Sequence, residues 1–270
     1  MSTSLLPENR SRAYRLGRHV EHDPRSLRYA HGVLPDSAIK PVQWTRRVPV
    51  FDQGDLGSCT GNAAAGVLAT DSAAGQGASS VTVKGTERAV DESLAVDLYK
   101  LATTLDNVPG TYPPDDTGSS GLGVAKALES VGLATGYTHA FSLAALKSAL
   151  QTGPAMLGIV WLNSMFDPAS DGTLPVDHSS GVAGGHEIVC TGWDGSRFRL
   201  DNSWGAGWGD AGSCWVKEPD MQWLLGQQGD VTVPALVVAP QPAPTPTPTP
   251  ADPDLAFAVA AHNWLTQKGL

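Results

Sequence analysis

The order of its periodic segments is the feature that most restricts the fold of this 270-residue chain. Alanine- and leucine-rich stretches with helical spacing come first, and short runs rich in β-branched and aromatic residues, typical of strands, come later. The predicted helices span residues 59–70, 87–104, 122–131 and 143–150, and the predicted strands span residues 155–161, 186–193, 197–201 and 213–217. Helices followed by strands indicate an α+β fold with two segregated halves and a cleft between them.

Cys59 lies at the start of the first predicted helix, directly after Ser58, which is a good N-cap residue. Unpaired backbone N–H groups and the helix dipole favour the nucleophilic thiolate at such a position. Gln53 lies in the loop before it, and its amide, together with the backbone N–H of Cys59, could hold an oxyanion. A cysteine beside glycines is more often structural than catalytic, so Cys59 alone does not decide the function.

A hairpin signal brings a histidine and an asparagine together in the later part of the chain. Asp194 and Gly195 separate two strand-like runs, as in a two-residue β-turn. Pairing back from that turn sets His186 opposite Ser203, whereas a three-residue loop or a bulge would set it directly opposite Asn202. Asn202 could then accept a hydrogen bond from one ring nitrogen and leave the other for a thiol.

Two tryptophans, Trp204 and Trp208, follow this asparagine and could shield the hydrogen bond from water. A histidine and an asparagine that are simply satisfied within a sheet are the alternative interpretation, and for either residue alone it is the more common one. What favours catalysis is the combination of a thiol, an imidazole and a side-chain amide in this chain order.

Three motifs together resemble those of the papain-like cysteine peptidases, in particular the bacterial and phage members of that family. They read Asp-Gln53-Gly-Asp-Leu-Gly-Ser-Cys59, Gly-Gly185-His186 and Asn202-Ser-Trp204-Gly-Ala-Gly-Trp208-Gly. The resemblance covers most of residues 30–235. It implies a papain-like two-subdomain fold, in which a helical half carries the cysteine and a β-sheet or barrel half carries the histidine and the asparagine.

The resemblance also implies a role for four residues of these motifs. It implies Cys59 as the nucleophile, His186 as general base and acid, and Asn202 as the residue that orients the imidazole. It implies Gln53 as the oxyanion donor. The remaining members of the motifs, which would line or shield the cleft, are Trp204, Trp208 and Gly185.

The sequence departs from the family pattern at three positions. Leu56 stands where many members have a disulfide-bonded cysteine, and Thr60 stands where an aromatic residue usually follows the nucleophile. Glu187 follows His186 in place of a small apolar residue. If the strand alternates, Glu187 faces away from Cys59; if it does not, Glu187 would raise the imidazole pKa.

Composition and charge restrict the class of partner. Residues 1–50 hold nine Lys/Arg and four Asp/Glu, against nine and 23 in the remaining 220, so a basic arm precedes an acidic body. The arginines are scattered and few aromatics accompany them, which argues against nucleic-acid binding. No run approaches the roughly 20 apolar residues of a membrane helix. We expect a peptide or protein substrate, no nucleic acid, no membrane, no cofactor and no metal.

The cysteines and the first residues predict the compartment. Three cysteines make no paired disulfide framework, and the polar, arginine-rich start lacks an apolar leader. We expect synthesis in the cytoplasm, with virion association if a phage encodes the chain. Cys190 and Cys214 fall in predicted strands and are expected to be buried thiols.

Composition divides the chain into four predicted regions. Residues 1–47 form an extended basic arm, for which a short pro-segment lying across the cleft is one interpretation, and residues 48–237 form the peptidase domain. Alternating prolines make residues 238–251 a polyproline II linker, and residues 252–270 hold a short helix at 254–268. An isolated helix of that length is marginal, so we expect it to dock on a partner or on the chain itself.

Three functions fit this sequence. The first is hydrolysis of peptide bonds through a Cys-His-Asn triad and an acyl-enzyme intermediate. The second keeps the triad but cleaves peptidoglycan peptides, although the C-terminal segment is too short for a cell-wall-binding domain. The third is a papain-fold binding or assembly module with little activity. The retention of all four predicted catalytic residue types argues against it. Peptide hydrolysis is therefore the leading hypothesis.

Overall fold

Five α-helices and eleven β-strands make up the part of the chain that the structure, a computed structural model, describes, namely residues 2–8 and 13–237. The helices are α1 (Cys59–Leu68), α2 (Glu92–Leu105), α3 (Gly121–Ser130), α4 (Leu143–Leu150) and α5 (Glu218–Gly226). The strands are β1 (Ser2–Ser4), β2 (Val20–His22), β3 (Val42–Gln43), β4 (Ser80–Val83), β5 (Thr86–Ala89), β6 (Ala134–His139), β7 (Ala155–Leu162), β8 (Val182–Trp193), β9 (Arg197–Asp201), β10 (Ser213–Lys217) and β11 (Asp230–Leu236). The predicted linker at 238–251 and the predicted helix at 254–268 lie outside the described residues.

Helices α1, α2 and α3 pack on one another and form one half of the molecule. Asp91 and Ser120 cap α2 and α3, because their side chains accept hydrogen bonds from backbone N–H groups in the first turn. Leu94 and Leu98 of α2, one turn apart, are both buried in the core of this half. Among the described residues, no helix is long and apolar enough to cross a membrane.

The predicted second helix, at residues 87–104, is wrong at its start. Thr86–Ala89 forms β5, which pairs with β4, and the helix begins at Glu92. The two-residue turn between these strands is Lys84 and Gly85, whose φ angles are 48° and 83°. Two positive φ angles give the turn that matches the twist of a hairpin. The helical spacing of the leucines correctly predicted that a helix is present here, but it did not predict the first residue of that helix.

A seven-stranded antiparallel sheet forms the other half, in the order β10-β9-β8-β7-β11-β6, with β3 paired to β8. Side chains of β7 and β8 alternate between its two faces. Met156 and Val189 belong to the apolar core of the helical half. Leu157 and Ile188 belong to a second core, shared with α4 and α5. The sheet therefore joins both halves of the predicted α+β fold, and β8 packs directly against α1.

Four elements of the sheet half were not predicted: β3, β6, α5 and β11. Strand β6 contains Gly136 and β11 contains Pro234, and both residue types are depleted in strands. Pro234 pairs with Tyr137, and the register of the β11–β6 ladder shifts directly after it, between Pro234 and Leu236. Pairing with neighbouring strands, rather than local pattern, decides β6 and β11.

Candidate active site

Cys59 is the first residue of α1, as predicted. The preceding Ser58 makes no side-chain capping bond; instead its hydroxyl and carbonyl oxygens accept from the amide of Asn62 at 3.1 and 3.0 Å. Burial raises the pKa of the Cys59 thiol, whereas hydrogen bonds from the backbone N–H groups of Glu187 and Thr60 lower it. The contact with Glu187 places the sulfur against β8, next to His186.

The imidazole of His186 pairs with the amide of Asn202. The distance from Nε2 to Oδ1 is 2.7 Å, and the same Oδ1 accepts from the backbone N–H of Ser203 at 2.8 Å. An oxygen that accepts a backbone N–H is an acceptor for the ring too, so Nε2 carries the hydrogen. Among the described residues, Nδ1 of His186 has no hydrogen-bond partner. Its lone pair is therefore available to the thiol of Cys59.

Burial lowers the pKa of His186 to about 4, and the hydrogen bond to Asn202 opposes that shift. Glu187 does not contribute to it. The alternation of β8 turns the Glu187 carboxyl away from the imidazole and toward Arg18 and Asp230, whose charges do affect the pKa of Glu187. The strand alternates and Glu187 does not raise the imidazole pKa, but, besides burial, its charge does raise the pKa of the Cys59 thiol, so the expectation that it faces away from Cys59 is wrong.

The hairpin register differs from both predicted registers. Trp193 pairs with Phe198, so the connection has four residues, and a bulge between Cys190 and Gly192 shifts the ladder by one. The ladder ends where Val189 pairs with Asp201. Asn202 has already left the strand, and its backbone N–H bonds to Gly212 at 2.9 Å. His186 and Asn202 meet through their side chains and not as a cross-strand pair.

Tryptophans enclose the imidazole of His186. The Trp204 ring lies 4.7 Å from it, centroid to centroid, and the Trp161 ring packs edge-on at 4.9 Å. Trp208 packs on Trp204 at 5.4 Å, and its indole N–H donates to the carbonyl of Phe166 at 2.7 Å. Trp161 was not predicted as a site residue, because a tryptophan within an apolar strand is usually an ordinary core residue. The shell excludes water from the His186–Asn202 hydrogen bond.

Gln53 is held in the loop before α1 by three hydrogen bonds. Its backbone N–H donates to the carbonyl of Ser203 at 2.9 Å, and its Oε1 accepts from the Ser203 hydroxyl at 2.7 Å. Its Nε2 donates to the carbonyl of Leu56 at 2.8 Å. An amide nitrogen carries two hydrogens, so this bond uses only one of them. Ser203, directly after Asn202, thus ties the Gln53 loop to the histidine–asparagine pair.

Residues 14–19, called the covering segment below, lie across the site. The backbone N–H groups of Gly17 and Arg18 donate to the carbonyl of Gly185 at 3.1 and 3.0 Å. On the helical side, Gly17 accepts from the N–H of Ser119 at 2.8 Å, and His19 donates to the carbonyl of the same residue at 2.7 Å. The covering segment therefore bridges the two halves of the molecule.

Side chains complete this cover. Tyr14 stacks on Trp204 with ring centroids 4.7 Å apart, and the Trp204 indole N–H donates to the carbonyl of Arg15 at 3.0 Å. Arg15 also forms an ion pair with Asp116 at 2.9 Å. With the covering segment in place, Cys59 is 0% exposed.

The remaining predicted features are simpler. Cys190 and Cys214 are buried free thiols, as expected. Among the described residues, no group of three or more His, Cys, Asp or Glu side chains could hold a metal ion.

Comparison with solved structures finds cysteine proteases and their precursors. Xylellain, a cysteine protease from Xylella fastidiosa, has a TM-score of 0.59 at 19% identity, over 84% of this chain and 98% of xylellain. Procathepsin B S9 from Trypanosoma congolense gives 0.55 at 9% identity, over 83% and 87% of the two chains. Digestive procathepsin L 3 of the Tenebrio molitor larval midgut gives 0.53 at 17%, over 77% and 73%. No protein-family model and no curated protein matches the sequence.

The chain has the papain-like fold of these cysteine proteases, with a helical half that carries Cys59 and a sheet half that carries His186 and Asn202. At such low identities the likeness establishes the fold. The chemistry depends on the geometry of the site and not on the fold.

Proposed function

We propose that this chain is a cysteine peptidase that hydrolyses peptide bonds through Cys59, His186 and Asn202. The observation that carries the proposal is the imidazole of His186: Asn202 holds its Nε2 at 2.7 Å, and its Nδ1 is left without a partner among the described residues. The thiol of Cys59 contacts the backbone N–H of Glu187, the residue that follows His186. A base oriented on one nitrogen and free on the other is the arrangement that activates a nucleophile.

The reaction proceeds in two steps. His186 takes the thiol proton at Nδ1, and the sulfur of Cys59 attacks the scissile carbonyl carbon. Collapse of the tetrahedral intermediate breaks the C–N bond, and His186 gives its proton to the leaving amine. A water molecule, deprotonated by His186, then attacks the thioester and releases the carboxylic acid product. Asn202 keeps the imidazole in one orientation throughout.

Gln53 and the backbone N–H of Cys59 stabilise the oxyanion in this proposal. The side chain of Gln53 is fixed by Ser203 and Leu56, and its second amide hydrogen is the proposed donor. A donor that is already fixed in place needs no reorganisation when the charge develops on the carbonyl oxygen.

The covering segment is proposed to act as a short pro-segment. Burial raises the pKa of Cys59 and lowers that of His186, so both shifts favour the neutral thiol and the neutral imidazole while the segment is in place. Its departure would admit water and relieve both shifts. The thiolate–imidazolium pair, which is the reactive form, would then become accessible.

The test is labelling with an epoxysuccinyl thiol-protease inhibitor, read by intact mass, on the full-length chain with peptide hydrolysis measured in parallel. We expect one adduct that maps to Cys59, none on Cys59→Ala, and slow labelling of His186→Ala. Cys190→Ala is the matched control, since it removes another buried thiol and should label as the wild type does. Hydrolysis that persists in Cys59→Ala would refute the proposal.

A further inference from the structure

Arg18, in the middle of the covering segment, has a side chain that is 0% exposed. Its Nη2 donates to Oδ1 of Asp230, with which it forms an ion pair, and to the carbonyl of Gln228 at 2.8 Å. The Asp230 side chain is 24% exposed, so the pocket that receives the guanidinium opens to solvent on the Asp230 side. An arginine of the covering segment thus fills an acidic pocket in the body of the protein.

The register of the sheet builds this pocket. Gly158 of β7 pairs with Glu187 of β8 on one side and with Asp230 of β11 on the other. Residues paired in this way have side chains on the same face of the sheet, so both carboxyl groups stand over Gly158. A Cβ atom at Gly158 would lie 2.5 Å from an Asp230 oxygen, 2.6 Å from Nε of Arg18 and 2.7 Å from a Glu187 oxygen. The guanidinium can enter only because residue 158 has no side chain.

Gly121, at the start of α3, closes the pocket from the helical half. A Cβ atom there would lie 2.7 Å from an Asp230 oxygen and 2.9 Å from a Glu187 oxygen. The pocket is therefore bounded by both halves of the molecule, in the same cleft that holds Cys59.

Arg18 does not use all the hydrogen-bonding capacity of this pocket. Glu187 is fully buried, and neither of its carboxyl oxygens has a hydrogen-bond partner among the described residues. Nε and Nη1 of Arg18 also lack partners within that part of the chain. A buried carboxyl group without a partner is costly, and it is best satisfied by a cationic donor. The pocket therefore suits a cation, and Arg18 leaves both carboxyl oxygens of Glu187 without a hydrogen bond.

The location of the pocket connects it to the reaction. Glu187 directly follows His186, and the backbone N–H of Arg18 bonds to Gly185, the residue that precedes His186. Departure of the covering segment would leave Glu187 and Asp230 facing an empty pocket beside the nucleophile. A peptide that lies in the cleft after that departure would bring one of its own side chains to the same place.

We propose that the pocket formed by Glu187, Asp230 and Gly158 recognises a basic side chain of the substrate close to the bond that is cut, with arginine preferred to lysine. In this structure, Arg18 occupies the place of that substrate side chain. The preference for arginine follows from Glu187: Nη2 alone bonds to Asp230 and Gln228, and Nε lies over Gly158 near the unpaired Glu187 carboxyl, so a guanidinium offers further donors there that the single nitrogen of an ammonium lacks. This inference rests on the proposed peptidase function for its substrate, but the pocket itself can be tested without activity.

The binding test uses the full-length Arg18→Ala chain and two probes, N-acetyl-arginine amide and its neutral isostere N-acetyl-citrulline amide, in isothermal titration calorimetry. We expect the arginine compound to bind at least about tenfold more tightly, because the site rejects an analogue that leaves its buried carboxyl groups unpaired. Adding either Glu187→Gln or Asp230→Asn should abolish that advantage. Adding Asp97→Asn, which changes an exposed carboxylate on α2, should not. Equal binding of the two probes, or binding of neither, overturns the proposal.

The substrate test digests a proteome-derived peptide library with the full-length wild type and with Arg18→Ala, and locates the cuts by mass spectrometry. We expect arginine, and less often lysine, to be enriched at one position near the cut, with the enrichment lost in Glu187→Gln and in Asp230→Asn. Selective binding of the arginine probe without any hydrolysis would reject the peptidase function and keep the pocket. Hydrolysis without a basic preference would reject the pocket and keep the function.

Discussion

Replacing Gly17 by alanine should uncover the nucleophile. A Cβ atom at this position would lie 2.7 and 2.8 Å from the carbonyl carbon and the Cα atom of Gly57, two residues before Cys59. Backbone atoms of the loop that leads into α1 cannot move aside as a flexible side chain could. The covering segment has to shift instead, and the shift breaks the hydrogen bonds that residues 17 and 18 make with Gly185 and Ser119.

Those hydrogen bonds set the expected magnitude. Three of them join Gly17 and Arg18 to the two halves, at 3.1, 3.0 and 2.8 Å. At about 0.5–1.5 kcal/mol net for each bond, their loss lowers the free energy of opening the covering segment by about 1.5–4.5 kcal/mol. Since about 1.4 kcal/mol corresponds to a factor of ten, alkylation of Cys59 should become about 10- to 1,000-fold faster.

The assay is alkylation of the native full-length chain by iodoacetamide, quenched at intervals and mapped by peptide mass. Gly32→Ala is the matched control, because a Cβ atom there meets nothing within 4 Å and the residue lies in the same N-terminal arm. Its rate should equal that of the wild type. If Gly17→Ala labels Cys59 no faster than the control, or labels Cys190 and Cys214 equally fast through general unfolding, the reasoning is refuted.

Three further predictions concern single side chains of the site and its surroundings. Asn202→Ala removes the acceptor of the buried His186 N–H, so the free energy of unfolding in urea should fall by about 1–3 kcal/mol; an unchanged value would contradict the pairing. Gln53→Ala should lower kcat/KM by about 100- to 1,000-fold, because it removes an oxyanion donor; an unchanged kcat/KM would contradict that role. Burial raises the pKa of Asp106 from 3.8 to about 6. Its protonated form therefore contributes to the free energy of unfolding below pH 3.8, and that contribution is lost as the pH rises through about 4 to 6. Asp106→Asn should remove that loss in urea titrations at about pH 4 and pH 7, and an equal loss in the variant would show that another group causes it.

Local patterns predicted the elements that carry the site. Alanine-rich composition and a polar residue before Cys59 predicted the start of α1. Short runs with β-branched or aromatic residues predicted β9 and β10 with the bounds that the structure shows. They could not predict that the helix expected from residue 87 begins at Glu92, since a two-residue turn with positive φ angles competes with helical spacing there.

The predicted register of the hairpin failed for a related reason. A turn signal at Asp194-Gly195 does not reveal that four residues connect the strands or that a bulge follows Cys190. Both depend on how β8 packs against α1 and β7, which is a property of the whole sheet. His186 and Asn202 nevertheless meet, because side chains at the end of a ladder can reach one another without being a cross-strand pair.

The sequence by itself determined the helix that carries Cys59 and the strands β7 to β10, because these depend on local propensity. It also determined the thiol, the imidazole and the amide, because each residue carries that chemistry alone. Only the tertiary structure decided which carboxyl groups face Arg18, which tryptophan encloses His186, and that residues 14–19 bridge the two halves. Those contacts join residues of different elements, and no local pattern encodes which elements meet. Burial has the same origin: the shifts in the pKa values of Cys59 and His186 arise only when the covering segment and both halves close around them.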